Sequence, residues 1–263
     1  MRVVAVHPDA LVVTSRMWQT NAVLLRGARG EAAAEAMLVD SPYFPDELDA
    51  LPALGRETGF EVEALLTTHA DFDHLLGRLA FPGLALGAGA ATVARLRAEP
   101  GAAQRELRDA DSEHYVHRER PLQLGAVQEL PVPGRLELGF EELELQPAGG
   151  HTADGTAILA RHAGVLMSGD YLSDIEIPVI SPSGSLGGYR ATLARLAPLV
   201  EAAERIVPGH GSPHDRDRAL RVLNEDVDYL DALERGERRP PLPAGRDSHR
   251  QRRIHAENLA ACG

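Results

Sequence analysis

Four residues of metal-binding type, His69, Asp71, Asp73 and His74, are packed into six consecutive positions directly after the run Glu63-Ala64-Leu65-Leu66-Thr67-Thr68. Two imidazoles and two carboxylates held this closely repel like neighbours unless a positive charge gathers them, and a metal ion is the simplest such charge. The apolar run upstream reads as a buried strand. It would end where the polar residues begin, the place where open α/β sheets commonly hold their ligands. Three further segments extend the pattern: Gly149-Gly150-His151-Thr152, Ser168-Gly169-Asp170 and Pro208-Gly209-His210-Gly211. Each sets a lone His or Asp in glycine, where a backbone can turn sharply and approach an ion closely.

With these residues in this order, the chain resembles the metallo-β-lactamase-fold hydrolases. Their signature is His-x-His-x-Asp-His after a strand, then an isolated His, an isolated Asp and a final His. The matching positions are His69, Asp71, Asp73 and His74, then His151, Asp170 and His210. The second His of the signature is Asp71 here. The resemblance implies a first metal site of His69, Asp71 and His151 and a second of Asp73, His74 and His210, with Asp170 bridging two divalent ions. Zinc is the first expectation. A carboxylate tilts a site toward harder ions, so Asp71 brings in iron and manganese as rivals. The di-iron branch of the family carries a carboxylate, as Glu, at this position.

Metal-assisted hydrolysis is the chemistry implied. A bound ion lowers the pKa of its water from about 16 toward about 7, and a second polarises the scissile carbonyl or phosphoryl oxygen. Substrates would be esters, lactones, thioesters, amides or phosphoesters. Asp73 is the candidate catalytic residue, as ligand and proton shuttle. No Gly-x-Ser-x-Gly elbow accompanies the set, in keeping with a reaction that needs no serine nucleophile. The alternatives are an iron-dependent oxidoreductase, which would need a separate electron donor, and a catalytically idle binding protein.

Composition narrows the partners. The formal net charge of -12 argues against nucleic acid, whose phosphates are bound chiefly by positive surface. The single cysteine, Cys262, excludes an internal disulfide framework and fits a reducing cytosol. The opening Met1 to Asp9 breaks its apolar run too early for a signal peptide, so the expectation is a cytoplasmic protein acting on a small molecule. All basic side chains are Arg, and Arg246, Arg250, Arg252 and Arg253 form a cluster that reads first as a solvated terminal helix face and, as the alternative, could clamp an anionic substrate at the metal mouth. Trp18, the stretch Tyr171 to Ser185, and Tyr189 are the expected substrate-contacting segments.

Strands are expected over 3–6, 22–26, 36–39, 84–86, 123–129, 135–138, 142–146, 156–161, 164–168 and 205–207. Helices are expected over 90–99, 187–204, 216–234 and 246–261, the last two separated by the loop from Arg238 to Gly245. Gly87-Ala88-Gly89 with Thr92 lacks the last glycine and the downstream acid of a dinucleotide loop. Two strand sets, each followed by helices, suit an α+β chain folded as the four-layer αββα sandwich that the resemblance implies, metals at the sheet edge. One domain is expected over 1–263, with a C-terminal helical segment from about 213.

Overall fold

The computed structural model describes residues 1–27, 35–237, 240–243 and 245–262. Arg238, Arg239 and Ala244 of the proline-rich loop lie outside the described residues, as does the side chain of Cys262. The first sheet has seven strands in sequential order: β1 (Arg2–His7), β2 (Ala10–Thr14), β3 (Asn21–Arg26), β4 (Ala36–Val39), β5 (Val62–Leu66), β6 (Ala85–Gly89) and β7 (Val127–Leu130). Its first half is antiparallel and β4 to β7 are parallel. Parallel neighbours need crossover connections, supplied by α1 (Pro45–Thr58), α2 (Gly77–Ala80), α3 (Ala90–Ala98) and α4 (Ala102–Glu113). The second sheet runs β13-β12-β11-β10-β9-β8. Its strands are β8 (Gly134–Leu138), β9 (Glu141–Pro147), β10 (Thr156–Ala160), β11 (Val165–Gly169), β12 (Arg205–Pro208) and β13 (His214–Asp215), covered by α5 (Leu186–Ala202), α6 (Arg216–Glu234) and α7 (His249–Cys262).

The period-2 alternation of strand side chains sorts the core into three slabs. Val23 and Leu25 of β3 meet Ile158 and Ala160 of β10 between the sheets. Ala22 and Leu24 turn outward onto Leu48 and Leu51 of α1 and Leu107 of α4. Ala157 and Leu159 turn outward on the other side onto Leu193, Leu196 and Val200 of α5 and Val222 and Leu230 of α6. This is the αββα sandwich. The strand set differs from the expected one by β2 and the two-residue β13, both unread in the sequence, and by β7, which begins four residues later than expected. Helix α7 starts at His249, three residues later than expected, just after Ser248, whose hydroxyl accepts the Gln251 N–H at 3.3 Å.

The two sheets are tied at one edge by backbone hydrogen bonds. Thr156 donates its N–H to the Thr68 carbonyl at 2.8 Å, and Asn21 donates to the Gly209 carbonyl at 2.7 Å. The ends of β4, β5, β11 and β12 meet at that edge.

Candidate metal centre

The chain leaving β5 is folded back on itself by its own threonines. Thr67 donates its hydroxyl to the His69 carbonyl at 2.8 Å, and a single 3-10 turn over Phe72–His74 points the last signature residues at the same centre as the first. Asp170 follows directly on β11, His210 on β12, and His151 sits in the β9–β10 turn. Gly150, at φ +129, lets that turn pass over the start of α5, where a Cβ would lie 2.1 Å from the Tyr189 nitrogen. Gly209 is required for a different reason: its Cβ would stand 2.0 Å from Asp170 Oδ1 and 2.9 Å from His74 Cε1. A side chain there would fill the cradle itself.

All the signature residues converge. Three groups, His69 with Asp71 and His151, Asp73 with His74 and His210, and His69 with His74 and Asp170, each place their ligand atoms within 4.8 Å of one another. Asp71 Oδ2 lies 3.6 Å from His69 Nε2 and 3.5 Å from His151 Nε2. Asp170 Oδ2 lies 3.7 and 3.3 Å from the same nitrogens and 3.4 Å from His210 Nε2. Ligands about 2.0–2.2 Å from a tetrahedral ion stand about 3.3–3.6 Å from one another, so these spacings fit a four-coordinate ion. On the other side, Asp73 Oδ2 is 3.4 Å from His210 Nε2, and Asp170 Oδ1 is 3.2 Å from His74 Nε2.

The outer nitrogens are already committed. His74 donates Nδ1–H to Asp40 Oδ2 at 2.9 Å, His151 to the Val179 carbonyl at 2.8 Å, and His210 to the Trp18 carbonyl at 3.2 Å. His69 Nδ1 is 3.0 Å from Thr68 Oγ1, whose hydroxyl donates to Asp40 Oδ2 at 2.8 Å. Such bonds fix the tautomer and leave each Nε2 lone pair facing inward. His69 Nε2, His74 Nε2, His151 Nε2 and Asp170 Oδ1 are buried without a hydrogen-bond partner. Each orphan costs about 1–3 kcal/mol, and a cation at the centre would satisfy all four.

Protons and metal compete for these atoms. Burial pushes the imidazoles down, but the facing carboxylates more than reverse it. Asp71 and Asp170 raise His151 to about 9. Asp170, with Glu176, raises His210 to about 10. Asp170, Asp40 and Asp73 hold His74 well above its ordinary value. Burial opposes ionisation of Asp71 and Asp170, yet hydrogen bonds from His151 and His69 hold Asp71, and the charge of His210 and His74 holds Asp170, well below the usual carboxylate range.

Three side chains that sequence reasoning missed belong to the site. Asp40, at the end of β4 in the left-handed region (φ 57), accepts from Thr68 N–H at 2.8 Å as well as from Thr68 Oγ1 and His74. Asp154 accepts from the Ala70 N–H at 2.9 Å, and its setting beside glycine after His151 was a usable signal. Arg95, on α3, pairs with Asp71 at 2.8 Å and with Asp154 at 2.9 Å; nothing in the sequence sets it apart from a surface arginine.

The arginine cluster divides between the interior and solvent and forms no clamp. Arg246 is fully buried and spent on Asp226 at 2.5 Å, Glu225 at 2.9 Å and the carbonyls of Ser173 and Glu176. Arg252 and Arg253 pair with Asp247 and Glu257 in solvent. Arg250 alone approaches the site, 5.5 Å from the Trp18 ring centroid and paired with Glu176. Tyr171 and Tyr189 are buried and brace the candidate ligands: Tyr171 Oη accepts the His151 N–H at 2.9 Å, and Tyr189 donates to the Asp170 carbonyl at 3.2 Å.

A sandwich of two sheets with a nest of imidazoles and carboxylates between their strand ends defines a class, and the comparisons agree on it. The model of the metallo-beta-lactamase superfamily matches residues 16–210, and the chain belongs to that superfamily. A search of curated proteins found no match. Among solved structures, a metallo-beta-lactamase family protein from Thermus thermophilus is similar at 23% identity and TM-score 0.68, covering 98% of this chain and 93% of its own. A beta-lactamase domain protein from Burkholderia ambifaria follows at 18% and 0.66, covering 98% and 86%. A sec-alkylsulfatase from Pseudomonas superposes with TM-score 0.73 at 14% identity, over 99% of this chain and 49% of the sulfatase. At these identities the likeness is one of fold. Among the described residues, no helix is long and apolar enough to cross a membrane.

Proposed function

We propose that the chain is a metal-dependent hydrolase with two divalent ions, zinc in preference to iron or manganese, in a cytoplasmic setting. His69, Asp71 and His151 would hold one ion, Asp73, His74 and His210 the other, and Asp170 would lie between them. The observation that carries this reading is the set of buried imidazoles whose Nδ1 atoms are committed outward while their Nε2 atoms face carboxylates with no partner of their own. When bound, the ions would supply an acidified water and polarisation of a substrate carbonyl or phosphoryl oxygen.

The chain's own residues do the rest. Asp40 and the Val179 and Trp18 carbonyls hold the imidazoles in their ligating tautomer. Asp73, with its side chain 10% exposed, is the carboxylate placed to take a proton and pass it to solvent. Trp18, packed edge-on against Phe72 with centroids 6.1 Å apart, gives the rim an apolar wall for an uncharged portion of an ester, lactone, thioester, amide or phosphoester.

The test is elemental analysis of protein purified without added metal and again after reconstitution, followed by turnover on panels of those substrates. About two equivalents with hydrolysis are expected. Less than about half an equivalent after reconstitution would refute the reading. Iron accompanied by redox turnover would favour the oxidoreductase, and retained metal without any turnover an idle binding protein.

A further inference from the structure

Asp71 presents its two oxygens to two different partners. Oδ2 faces His69 Nε2 at 3.6 Å and His151 Nε2 at 3.5 Å. Oδ1 is taken by Arg95 at 2.8 Å. The guanidinium is itself fixed: the same nitrogen meets Asp154 Oδ1 at 2.9 Å, and Nε lies 3.7 Å from Glu99 Oε2. Asp154 is immobile because its side chain is 1% exposed and its other oxygen accepts the Ala70 N–H at 2.9 Å. The line of support therefore runs from the backbone of the signature loop through Asp154 and Arg95 back to one oxygen of Asp71. An arginine stays charged at any working pH, so its pairing with this oxygen is not lost by titration of the guanidinium.

Resting on the reading of Asp71 as a ligand, we propose that Arg95 is a positioning residue that sets metal preference. By withholding Oδ1 it makes Asp71 a one-oxygen ligand and keeps the coordination number of the first site low, with a position left for the water. A carboxylate free to bind through both oxygens raises the coordination number and suits manganese or iron; a single oxygen beside two imidazoles and the Asp170 carboxylate suits zinc. Arg95 thus offsets the drift toward harder ions that a carboxylate in place of the family's imidazole would otherwise bring.

The experiment loads the full-length chain, stripped of metal, with zinc and manganese in competition and reads both by elemental analysis. In parallel, cobalt(II) is loaded and its visible absorption recorded, since four-coordinate cobalt absorbs far more strongly than five- or six-coordinate. Arg95→Met should lower the zinc affinity of one equivalent by about 10- to 100-fold, as loss of a residue that orients a ligand typically does, and lower its manganese affinity less, so that the zinc preference of that equivalent falls. It should weaken the cobalt band of that site and leave the other equivalent unchanged; Arg95→Lys should fall between. Should Arg95→Met not fold, Asp154→Asn, which loosens the guanidinium without touching Asp71, shifts the same two readings in the same direction.

Wild-type zinc preference and an unchanged cobalt band in these variants would overturn the inference. Asp71→Ala separates the two levels. If it loses one equivalent while Arg95→Met changes nothing, Arg95 is idle and the ligand reading stands. If it keeps both equivalents, Asp71 is no ligand and the inference falls with it.

Discussion

Asp40→Asn tests the bond network behind the metal ligands with little change of shape. Three donors converge on the two Asp40 oxygens: Thr68 N–H at 2.8 Å on Oδ1, and Thr68 Oγ1 at 2.8 Å with His74 Nδ1 at 2.9 Å on Oδ2. An amide offers one acceptor and one donor, so either orientation sets N–H against N–H. With its oxygen toward Thr68 N–H, the NH2 faces His74, which must move its proton to Nε2 and lose its inward lone pair. With the oxygen toward His74, the buried Thr68 N–H goes unpaired at a cost of about 1–3 kcal/mol. The expected result is a fall in zinc affinity of about 10- to 100-fold, or about 1.4–2.7 kcal/mol.

The loss should concentrate on the ion shared with His74 and be smaller for the one shared with His69, which Asp40 reaches only through Thr68. Asn tolerates the left-handed backbone at this position almost as well as Asp, so the effect reports polarity alone. Competition against a chromophoric chelator measures both constants. Affinities within about threefold of wild type for both ions would refute the idea that Asp40 sets the tautomer.

Two further outcomes follow from the site. In the metal-free protein His151 and His210 titrate at about 9 and about 10, above their unfolded value of about 6.5. Their contribution to stability is therefore complete below about 6.5 and is lost as pH rises through 9 and 10. Thermal unfolding should show the metal-free protein weakening from pH 7 to 10, and calorimetry in two buffers near pH 7 should show about three protons leaving His74, His151 and His210 as the ions bind. Release of one proton or none would contradict the assignment. Gly209→Ala should leave the fold near normal, because its backbone is unstrained, while displacing Asp170 and lowering metal content; full metal content would show that the cradle has room the distances deny.

The residues of the proposed metal centre, which the structure brings together, were legible because they cluster in sequence or stand alone among glycines, and the strands that deliver them are short apolar runs. What escaped reading depends on folding across long separations. Asp40 precedes His74 by more than thirty positions and looks like any acid before a Ser-Pro turn. Helix α1 carried its marks, Pro45 at the first turn, Asp46 and Glu47 behind it and Gly59 in the left-handed region at its end, but Pro52 breaks its pattern midway. Helix α4 buries only Ala103, Leu107 and Ala110, too thin a stripe to stand out. Within the arginine cluster only Arg246 departs from a solvated face, because its burial depends on Asp226 and two carbonyls arriving from elsewhere in the chain.

The C-terminal helix lies beyond the matched span of residues 16–210, yet it grips the loop that orients His151. Gln251 accepts the Ile177 N–H at 2.8 Å; Asn258 accepts from Ile180 at 3.0 Å and donates to the Pro178 carbonyl at 2.6 Å. Between those anchors lies Val179, whose carbonyl takes the His151 Nδ1–H at 2.8 Å. Both amide side chains are buried, Gln251 at 2% and Asn258 at 0% exposure, so water cannot replace them cheaply. Asn258→Ala strands a buried N–H and a buried carbonyl, a loss of about 2–6 kcal/mol of stability. If the loop transmits that loss, the same change weakens the ion held with His151 and spares the one held by Asp73, His74 and His210, while amide exchange quickens at Ile180. A lowered melting temperature with both zinc affinities intact would mean that α7 braces the fold and leaves the imidazole where it was.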